Sequence, residues 1–140
     1  MHIKDESGFN LMKYYIDTCI WLNILLEEKR FCKESKEFLH NLIFLGYNIC
    51  YSGLVLRELK TKLKRFDYSV FREELDKFAE RFELCESDKK HARVLEERYH
   101  SGYYDMVHLS LCKRLGLILV TRDKRLVDIC EKENVVVLEL

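Results

Sequence analysis

Four acidic residues of this sequence stand where their carboxylates could share a metal ion: Asp17, Glu58, Asp105 and Asp123. Asp17 directly follows the apolar run Tyr14–Ile16, and Asp123 comes shortly after the apolar run Leu117–Val120. Carboxylates that lie close together repel one another and lose hydration on burial, and a shared divalent cation relieves both costs. Mg²⁺ and Mn²⁺ prefer oxygen ligands, and the water they activate hydrolyses phosphodiesters. The four acids therefore indicate metal-dependent cleavage of a nucleic-acid backbone.

Each acid also has a simpler explanation. Asp17 could cap the helix that follows it, because Asp is favoured there and complements the helix dipole. Asp105 and Asp123 could be N-caps in the same way. Glu58 could be one more solvated acid in a charged helix. Each explanation is adequate alone, but four acids together, two of them at strand ends, favour a shared site.

Short apolar segments alternate with stretches of helical periodicity along the chain. Strands are predicted at 14–16, 47–51, 82–85, 117–120 and 135–138. Helices are predicted after Asp17, over 33–45, after an N-cap at Ser52, after Asp67, from Ser87 or Asp88 to Tyr99, from Asp105 to Gly116, and around 126–130. Strands separated by helices predict an α/β fold, with helices on both faces of a parallel sheet. If the first and fourth strands are neighbours, Asp17 and Asp123 share the sheet edge where such folds bind ligands.

The apolar faces of the first two helices are predicted to point inward. They include Leu25 and Leu26 in the first helix and Leu45 in the second, with Gly46 as the stop signal of the second.

Composition limits the class of protein. The 140 residues include 24 basic and 24 acidic ones, so net charge alone predicts no polyanion partner. No apolar run approaches the ~20 residues that span a bilayer, and residues 1–11 have no signal-peptide core. One domain is expected over 12–140, with 1–11 as a flexible extension, in a cytoplasmic protein without membrane contact. Six separated cysteines without a C-x-x-C pair predict buried free thiols in a reducing compartment.

The segments that carry the acids together resemble the PIN-domain nucleases. In chain order they are Asp17-Thr18-Cys19, Ser52 to Leu59, Asp105-Met106-Val107-His108 and Val120-Thr121-Arg122-Asp123. The resemblance implies a three-layer α/β/α domain with a parallel five-stranded sheet of order 3-2-1-4-5. It implies cleavage of RNA that depends on Mg²⁺ or Mn²⁺. It also implies a VapC-like toxin that forms a homodimer and has an antitoxin protein as its partner.

Carried over residue by residue, the resemblance makes the four acids the catalytic, metal-binding set. Thr18 and Thr121 occupy positions where the family has hydroxyl residues, and Thr121 would hold a ligand water or an Asp carboxylate. His108 lies three residues after Asp105 and could orient it, or it could simply be packed in its helix. Cys19 stands where Asn or Ser is common in the family, and this departure would weaken the polar surroundings of the first acid.

Basic residues flank three of the four acids and could contact RNA phosphates, which gives affinity without sequence readout. Those proposed to bind RNA are Arg57, Lys60, Lys62, Arg122 and Lys124. An ordinary solvated helix face explains the bases between Lys60 and Arg65 about as well. Tyr103 and Tyr104 could stack on unpaired bases or pack on the core, and packing is favoured for one of them.

Two other functions fit a fold of this kind. A non-catalytic PIN-like module that binds RNA or protein would have a decayed acidic set, whereas here all four acids are present. A phosphoacceptor receiver domain also places an Asp at a strand end beside a metal. It usually has a pair of acids early and a Lys after a later strand, and this sequence has only Asp17 early and no Lys between Val120 and Asp123.

Overall fold

The computed structural model describes residues 12–140, so the expected flexible extension at 1–11 lies outside the described residues. The strands are β1 (Lys13–Ile16), β2 (Asn48–Ser52), β3 (Ala79–Phe82), β4 (Ile118–Thr121) and β5 (Val137–Glu139). The helices are α1 (Thr18–Leu25), α2 (Cys32–Phe44), α3 (Gly53–Lys62), α4 (Tyr68–Leu75), α5 (Glu86–Tyr99), α6 (Tyr103–Leu115) and α7 (Lys124–Lys132). No helix in this part of the chain is both long and apolar enough to span a membrane.

All five strands are parallel and form one sheet of order β3-β2-β1-β4-β5, as predicted. The central strand β1 pairs with β4 so that Ile16 lies opposite Val120. Tyr15 and Ile16 are both fully buried. Because successive side chains of a strand point to opposite faces, this burial shows that helices cover both faces of the sheet. The chain reverses its direction of winding between β1 and β4, and this creates a crevice at their carboxyl ends.

Several helix ends follow the predicted signals. Gly46 and Gly116 follow α2 and α6 with left-handed φ angles of 79° and 66°, which glycine adopts without a steric cost. The side chain of Asp67 caps α4 by accepting a hydrogen bond from the backbone nitrogen of Val70 at 3.1 Å. All six cysteines are free, as expected, but only three of them are buried, Cys50, Cys112 and Cys130, whereas Cys19, Cys32 and Cys85 are partly exposed.

Most boundaries differ from the prediction by one or two residues, and the differences at β3 and α6 have clear reasons. β3 lies at Ala79–Phe82 instead of 82–85, because backbone pairing with β2 defines it and sets Ala79 opposite Ile49. The apolar residues after Phe82 lead into the cap of α5 at Cys85. α6 begins at Tyr103 with Gly102 as its N-cap, so Asp105 lies in the first turn and is not an N-cap.

The predicted inward faces of the first two helices are partly wrong. Leu26 is 54% exposed and Leu45 is 64% exposed, and Leu25 is also exposed. α1 ends at Leu25 and α2 at Phe44, so these residues lie at helix ends, where they are not pressed against the sheet. The ends of α1 and α2 thus carry exposed apolar side chains.

α5 and α6 are joined by an ion pair between Asp88 and Arg114. Asp88 is only 2% exposed. Arg114 binds both of its oxygens, through Nε at 2.8 Å and a terminal nitrogen at 2.9 Å, and the backbone nitrogen of Cys85 adds a bond at 3.0 Å. Burial by itself raises the pKa of Asp88, but these hydrogen bonds outweigh it and hold the pKa below its ordinary value.

Replacing Arg114 by methionine should lower the free energy of unfolding at pH 7 by about 3 kcal/mol, because it leaves a buried carboxylate unpaired. The lowered pKa of Asp88 means that its stabilisation is present above pH ~4 and is lost as the pH falls further. Urea unfolding should therefore show a gap between wild type and variant that narrows as the pH falls below ~4. Lys77→Met, which removes an exposed partner of Glu74, should change little at either pH. An equal loss for both variants would contradict this role of Asp88.

Candidate metal centre

The structure brings the four predicted acids to one cavity at the carboxyl edge of the sheet. Asp17 follows β1, Asp123 follows β4, Glu58 lies on α3, and Asp105 lies on α6. This acidic cavity has a volume of about 210 Å³ and is lined by Asp17, Thr18, Cys19, Leu22, Glu58, Lys62, Asp105 and Asp123. Four separate elements thus supply carboxylates to one small space.

Asp17 is 5% exposed and stands at the N-cap position of α1, yet its side chain makes no capping hydrogen bond. Its Oδ2 instead accepts hydrogen bonds from the Thr121 hydroxyl at 2.7 Å and from the Cys19 thiol at 3.2 Å. The thiol is a weak donor. Even so, Cys19 supplies a hydrogen bond at the position where the family commonly has Asn or Ser. The carboxylate of Asp17 is therefore oriented by side chains and is not used to cap the helix.

Glu58 is held in a similar way through one oxygen. Its Oε1 accepts hydrogen bonds from the Thr18 hydroxyl at 2.9 Å and from His108 Nε2 at 2.5 Å. Because a carboxylate only accepts, His108 carries a proton on Nε2. Burial by itself raises the pKa of Glu58, but the hydrogen bond and the charge of His108, together with Thr18, lower it overall. Glu58 therefore stays ionised.

His108 is fully buried, and its partner is Glu58; within residues 12–140 it makes no hydrogen bond to Asp105, the partner expected from sequence. Its Nδ1 lies 2.6 Å from the Tyr15 hydroxyl, which lies 2.7 Å from the Ser52 hydroxyl. Burial by itself lowers the pKa of His108, but the hydrogen bond to Glu58 and nearby carboxylates raise it overall. A continuous polar chain thus runs from β2 through the core to Glu58.

Within this buried polar chain, the roles of Tyr15 and Ser52 were not predicted from the sequence. Ser52 stands at the N-cap position of α3, as predicted, but its hydroxyl bonds Tyr15 and makes no capping bond. The signal available in the sequence was Tyr15 itself, because a tyrosine in a buried strand needs a partner for its hydroxyl.

Asp123 combines two roles that the sequence left as alternatives. Its Oδ1 caps α7 by accepting hydrogen bonds from the backbone nitrogens of Arg125 at 3.0 Å and Leu126 at 3.3 Å. Its own backbone nitrogen donates to the Thr121 hydroxyl at 3.1 Å. The side chain nevertheless lines the acidic cavity. A helix cap and a cavity carboxylate are therefore compatible, because they use different oxygens.

Asp105 is the acid whose charge the protein compensates least. Among residues 12–140 its carboxylate has no hydrogen-bond donor, whereas the other three acids each have two. Burial raises the pKa of Asp105 to about 6, and the negative charge of Asp17 adds to this effect. The cavity therefore holds negative charge that the chain itself does not neutralise.

This donor set fits a hard divalent cation. Within the described residues, no group of three or more His, Cys, Asp or Glu side chains lies close enough together to hold a metal ion, so an ion here would need waters among its ligands. Mg²⁺ commonly keeps several waters and binds through one or two carboxylates plus a substrate phosphate. A cavity of about 210 Å³ has room for an ion with such waters. The residues therefore suit hydrated Mg²⁺ or Mn²⁺, held partly through water.

The basic residues proposed for RNA divide into two groups. Arg57, Lys60, Lys62 and Lys124 are exposed, and Lys62 lines the acidic cavity. Arg122 is different, because its side chain is only 12% exposed. Its guanidinium donates to the side chains of Asn23 at 2.9 Å and Ser35 at 3.0 Å, and lies 4.3 Å from the ring centroid of Phe31. Arg122 therefore fastens α1 and α2 to the end of β4 instead of presenting its charge to a ligand.

The PIN-domain family model matches residues 14–132. The chain belongs to the PIN-domain family. Members of this family are typically nucleases and generally depend on a metal. No curated protein sequence matches the chain.

Solved structures show the same fold in this PIN domain. The chain is similar to chains of a toxin–antitoxin complex from Klebsiella pneumoniae (17% identity, 91% of this chain, 99% of that chain, TM-score 0.68). It is also similar to a chain of VapBC2 from Rickettsia felis, solved with a promoter DNA fragment (19% identity, 91% of this chain, 98% of that chain, TM-score 0.65). A third similar structure is VapBC from Salmonella typhimurium, solved with DNA (17% identity, 92% of this chain, 98% of that chain, TM-score 0.66). The first of these is described as a toxin–antitoxin complex and the other two as VapBC.

Removing the hydroxyl of Tyr15 tests the buried polar chain. Tyr15→Phe should lower the free energy of unfolding by about 1–3 kcal/mol, because it leaves His108 Nδ1 buried without a partner. Chemical denaturation measures the loss. Tyr14→Phe, one residue earlier on β1, removes a hydroxyl that is not part of the buried polar chain. This variant should lose less free energy of unfolding than Tyr15→Phe. Equal stability of the two variants would contradict the role given to Tyr15.

Asp105→Asn should stabilise the metal-free protein at pH 7 by about 2 kcal/mol, because the native carboxylate has a raised pKa. A raised pKa in an acid destabilises the fold at high pH, so the gain should be full above pH ~6 and vanish below pH ~4. Thermal unfolding in EDTA across this range measures the difference. A variant that is less stable than wild type at pH 7 would contradict the description of Asp105 as uncompensated.

Proposed function

We propose that this PIN domain is an endoribonuclease that hydrolyses RNA phosphodiester bonds with Mg²⁺ or Mn²⁺. The ion would be held by Asp17, Glu58, Asp105 and Asp123, directly or through water. The observation that carries the proposal is the shared pattern of three acids. Asp17, Glu58 and Asp123 each have one oxygen bound by two donors, and their second oxygen has no hydrogen bond within residues 12–140. Such oxygens are pre-oriented for a cation.

The residues around the acidic cavity would have distinct roles in such a site. When bound, the metal would supply an activated water and neutralise charge that develops on the phosphate. Thr121 and Cys19 orient Asp17, while Thr18 and His108 orient Glu58. The exposed ammonium of Lys62, at the cavity wall, suits a phosphate oxygen of the substrate. Catalysis by this arrangement needs no His or Cys nucleophile.

We also propose that the protein is a toxin with an antitoxin partner, and that it forms a homodimer in the cytoplasm. The structural neighbours from toxin–antitoxin complexes support this proposal. So does the exposed apolar surface at the end of α2, where Phe44 is 81% exposed and Leu45 is 64% exposed. Apolar surface of this kind often marks a protein contact. The free cysteines are typical of a reducing compartment.

Cleavage of a labelled single-stranded RNA tests the catalytic proposal. The wild-type protein should cut the RNA with Mn²⁺ or Mg²⁺ and should stop when EDTA is added. Asp17→Asn should lower the rate by roughly 100-fold or more, because the metal contributes several kcal/mol to the transition state. Calorimetric titration with Mn²⁺ should show binding to the wild type that weakens in the variant.

Asp128→Asn is the matched control, since it makes the same change on an exposed part of α7 and should cut at the wild-type rate. Cleavage by Asp17→Asn as fast as by wild type would place the activity in another site or another protein. RNA binding that is unaffected by EDTA, with no cleavage under any divalent metal, would instead support the non-catalytic RNA-binding module.

A further inference from the structure

A second cavity adjoins the acidic one. This tyrosine cavity has a volume of about 510 Å³ and is lined by Glu58, Lys62, Gly102, Tyr103, Tyr104 and Asp105. Three of these residues also line the acidic cavity: Glu58, Lys62 and Asp105. The two cavities therefore form one groove, with carboxylates at one end and two aromatic rings at the other.

The two tyrosines differ in how they are held. The ring of Tyr103 packs against the core, and the guanidinium of Arg93 lies 5.1 Å from its centroid. Tyr104 is 44% exposed, and its ring centroid lies 5.8 Å from that of Tyr103. Tyr103 thus forms a fixed wall, while Tyr104 offers an aromatic surface to the groove.

Gly102, the N-cap of α6, also lines this end of the groove and adds no side chain to it. With a volume of about 510 Å³, the tyrosine cavity has room for a flat ring next to the proposed metal site.

The charge along the groove identifies the occupant. Within the described chain, Lys62 is the one basic residue that lines both cavities. A ligand that fills the groove needs an anionic group at Lys62 and a planar ring at Tyr104. An unpaired nucleotide has both, whereas the bases of a duplex are stacked on one another and cannot reach the ring.

We propose that the tyrosine cavity is a nucleobase subsite, which binds one unpaired base of the nucleotide next to the scissile phosphate. Tyr104 stacks on that base. Lys62, which lines both cavities, binds the phosphate that lies between the base and the four acids. The subsite should show little preference among bases, because stacking uses the π-face that every base has. This inference rests on the proposed nuclease function and adds Tyr104 as a residue that positions the substrate.

The test uses 2-aminopurine, whose fluorescence is quenched when it stacks. Single-stranded RNAs with this base at successive positions are titrated in EDTA with the full chain carrying Asp17→Asn, so that cleavage should not interfere. One position should be quenched. Adding Tyr104→Leu should abolish that quenching and weaken binding roughly tenfold, the range expected for one base–aromatic stack. Tyr104→Phe keeps the aromatic ring, so the quenching and the RNA affinity should be the same as in the protein that retains Tyr104.

Phe78→Leu is the matched control, because Phe78 is an aromatic residue just before β3 that is 41% exposed, close to the value for Tyr104, and lines neither cavity. Circular dichroism verifies that each variant is folded. Quenching that persists in Tyr104→Leu would overturn the subsite. Binding of a blunt RNA duplex as tight as that of the single strand would also overturn it.

Wild-type kinetics separate this inference from the proposed function. If the wild type cleaves RNA and Tyr104→Leu has an unchanged KM and unchanged quenching, the subsite fails and the nuclease stands. If no metal supports cleavage but quenching depends on Tyr104, the nuclease fails and the subsite stands in a binding module. A rise in KM for single-stranded RNA with little change in kcat, together with lost quenching, supports both.

Discussion

The repulsion among four carboxylates at one edge of the sheet is the constraint on which the rest of the structure depends. Three of the acids are held against this repulsion through a single oxygen each, by side chains or by the first turn of a helix. The donors come from elements that the sheet order places side by side, since Thr121 ends β4 and Asp17 follows β1. Asp105 has no such donor within residues 12–140. Its negative charge is therefore not compensated by a hydrogen bond, and a cation in the cavity would stabilise it.

The polar chain from Ser52 through Tyr15 and His108 to Glu58 shows how deeply this edge is built into the core. Its members come from β2, β1, α6 and α3, so it fixes two helices relative to the two central strands. Buried polar groups stabilise a fold only when every member has a partner. Tyr15 meets that condition by contacting two partners at once. Besides Thr18, which lines the cavity, the geometry of Glu58 thus depends on His108, Tyr15 and Ser52, which do not line it.

The sequence made the edge of the site predictable, because Asp17 and Asp123 follow buried strands whose pairing obeys general rules. Contacts that depend on side-chain direction were not predictable. Arg122 lies between two site residues in sequence, but its guanidinium turns towards Asn23 and Ser35. Periodicity failed at β3, an edge strand, because backbone pairing with β2 and not an apolar run sets its limits. A one-dimensional pattern gives position along an element, whereas these features depend on packing between elements.

The position of Arg122 changes where a polyanion can lie. With its charge used inside the protein, the exposed bases next to the acids lie on α3 and at the start of α7, where Lys124 follows Asp123. The acidic cavity is lined from both of these regions, by Glu58 and Lys62 of α3 and by Asp123 before α7. A nucleic-acid backbone that contacts both sets of bases would therefore lie close to the carboxylates. Affinity from phosphate contacts and presentation of a phosphate to the proposed metal are then the same event, even though the chain has no net charge.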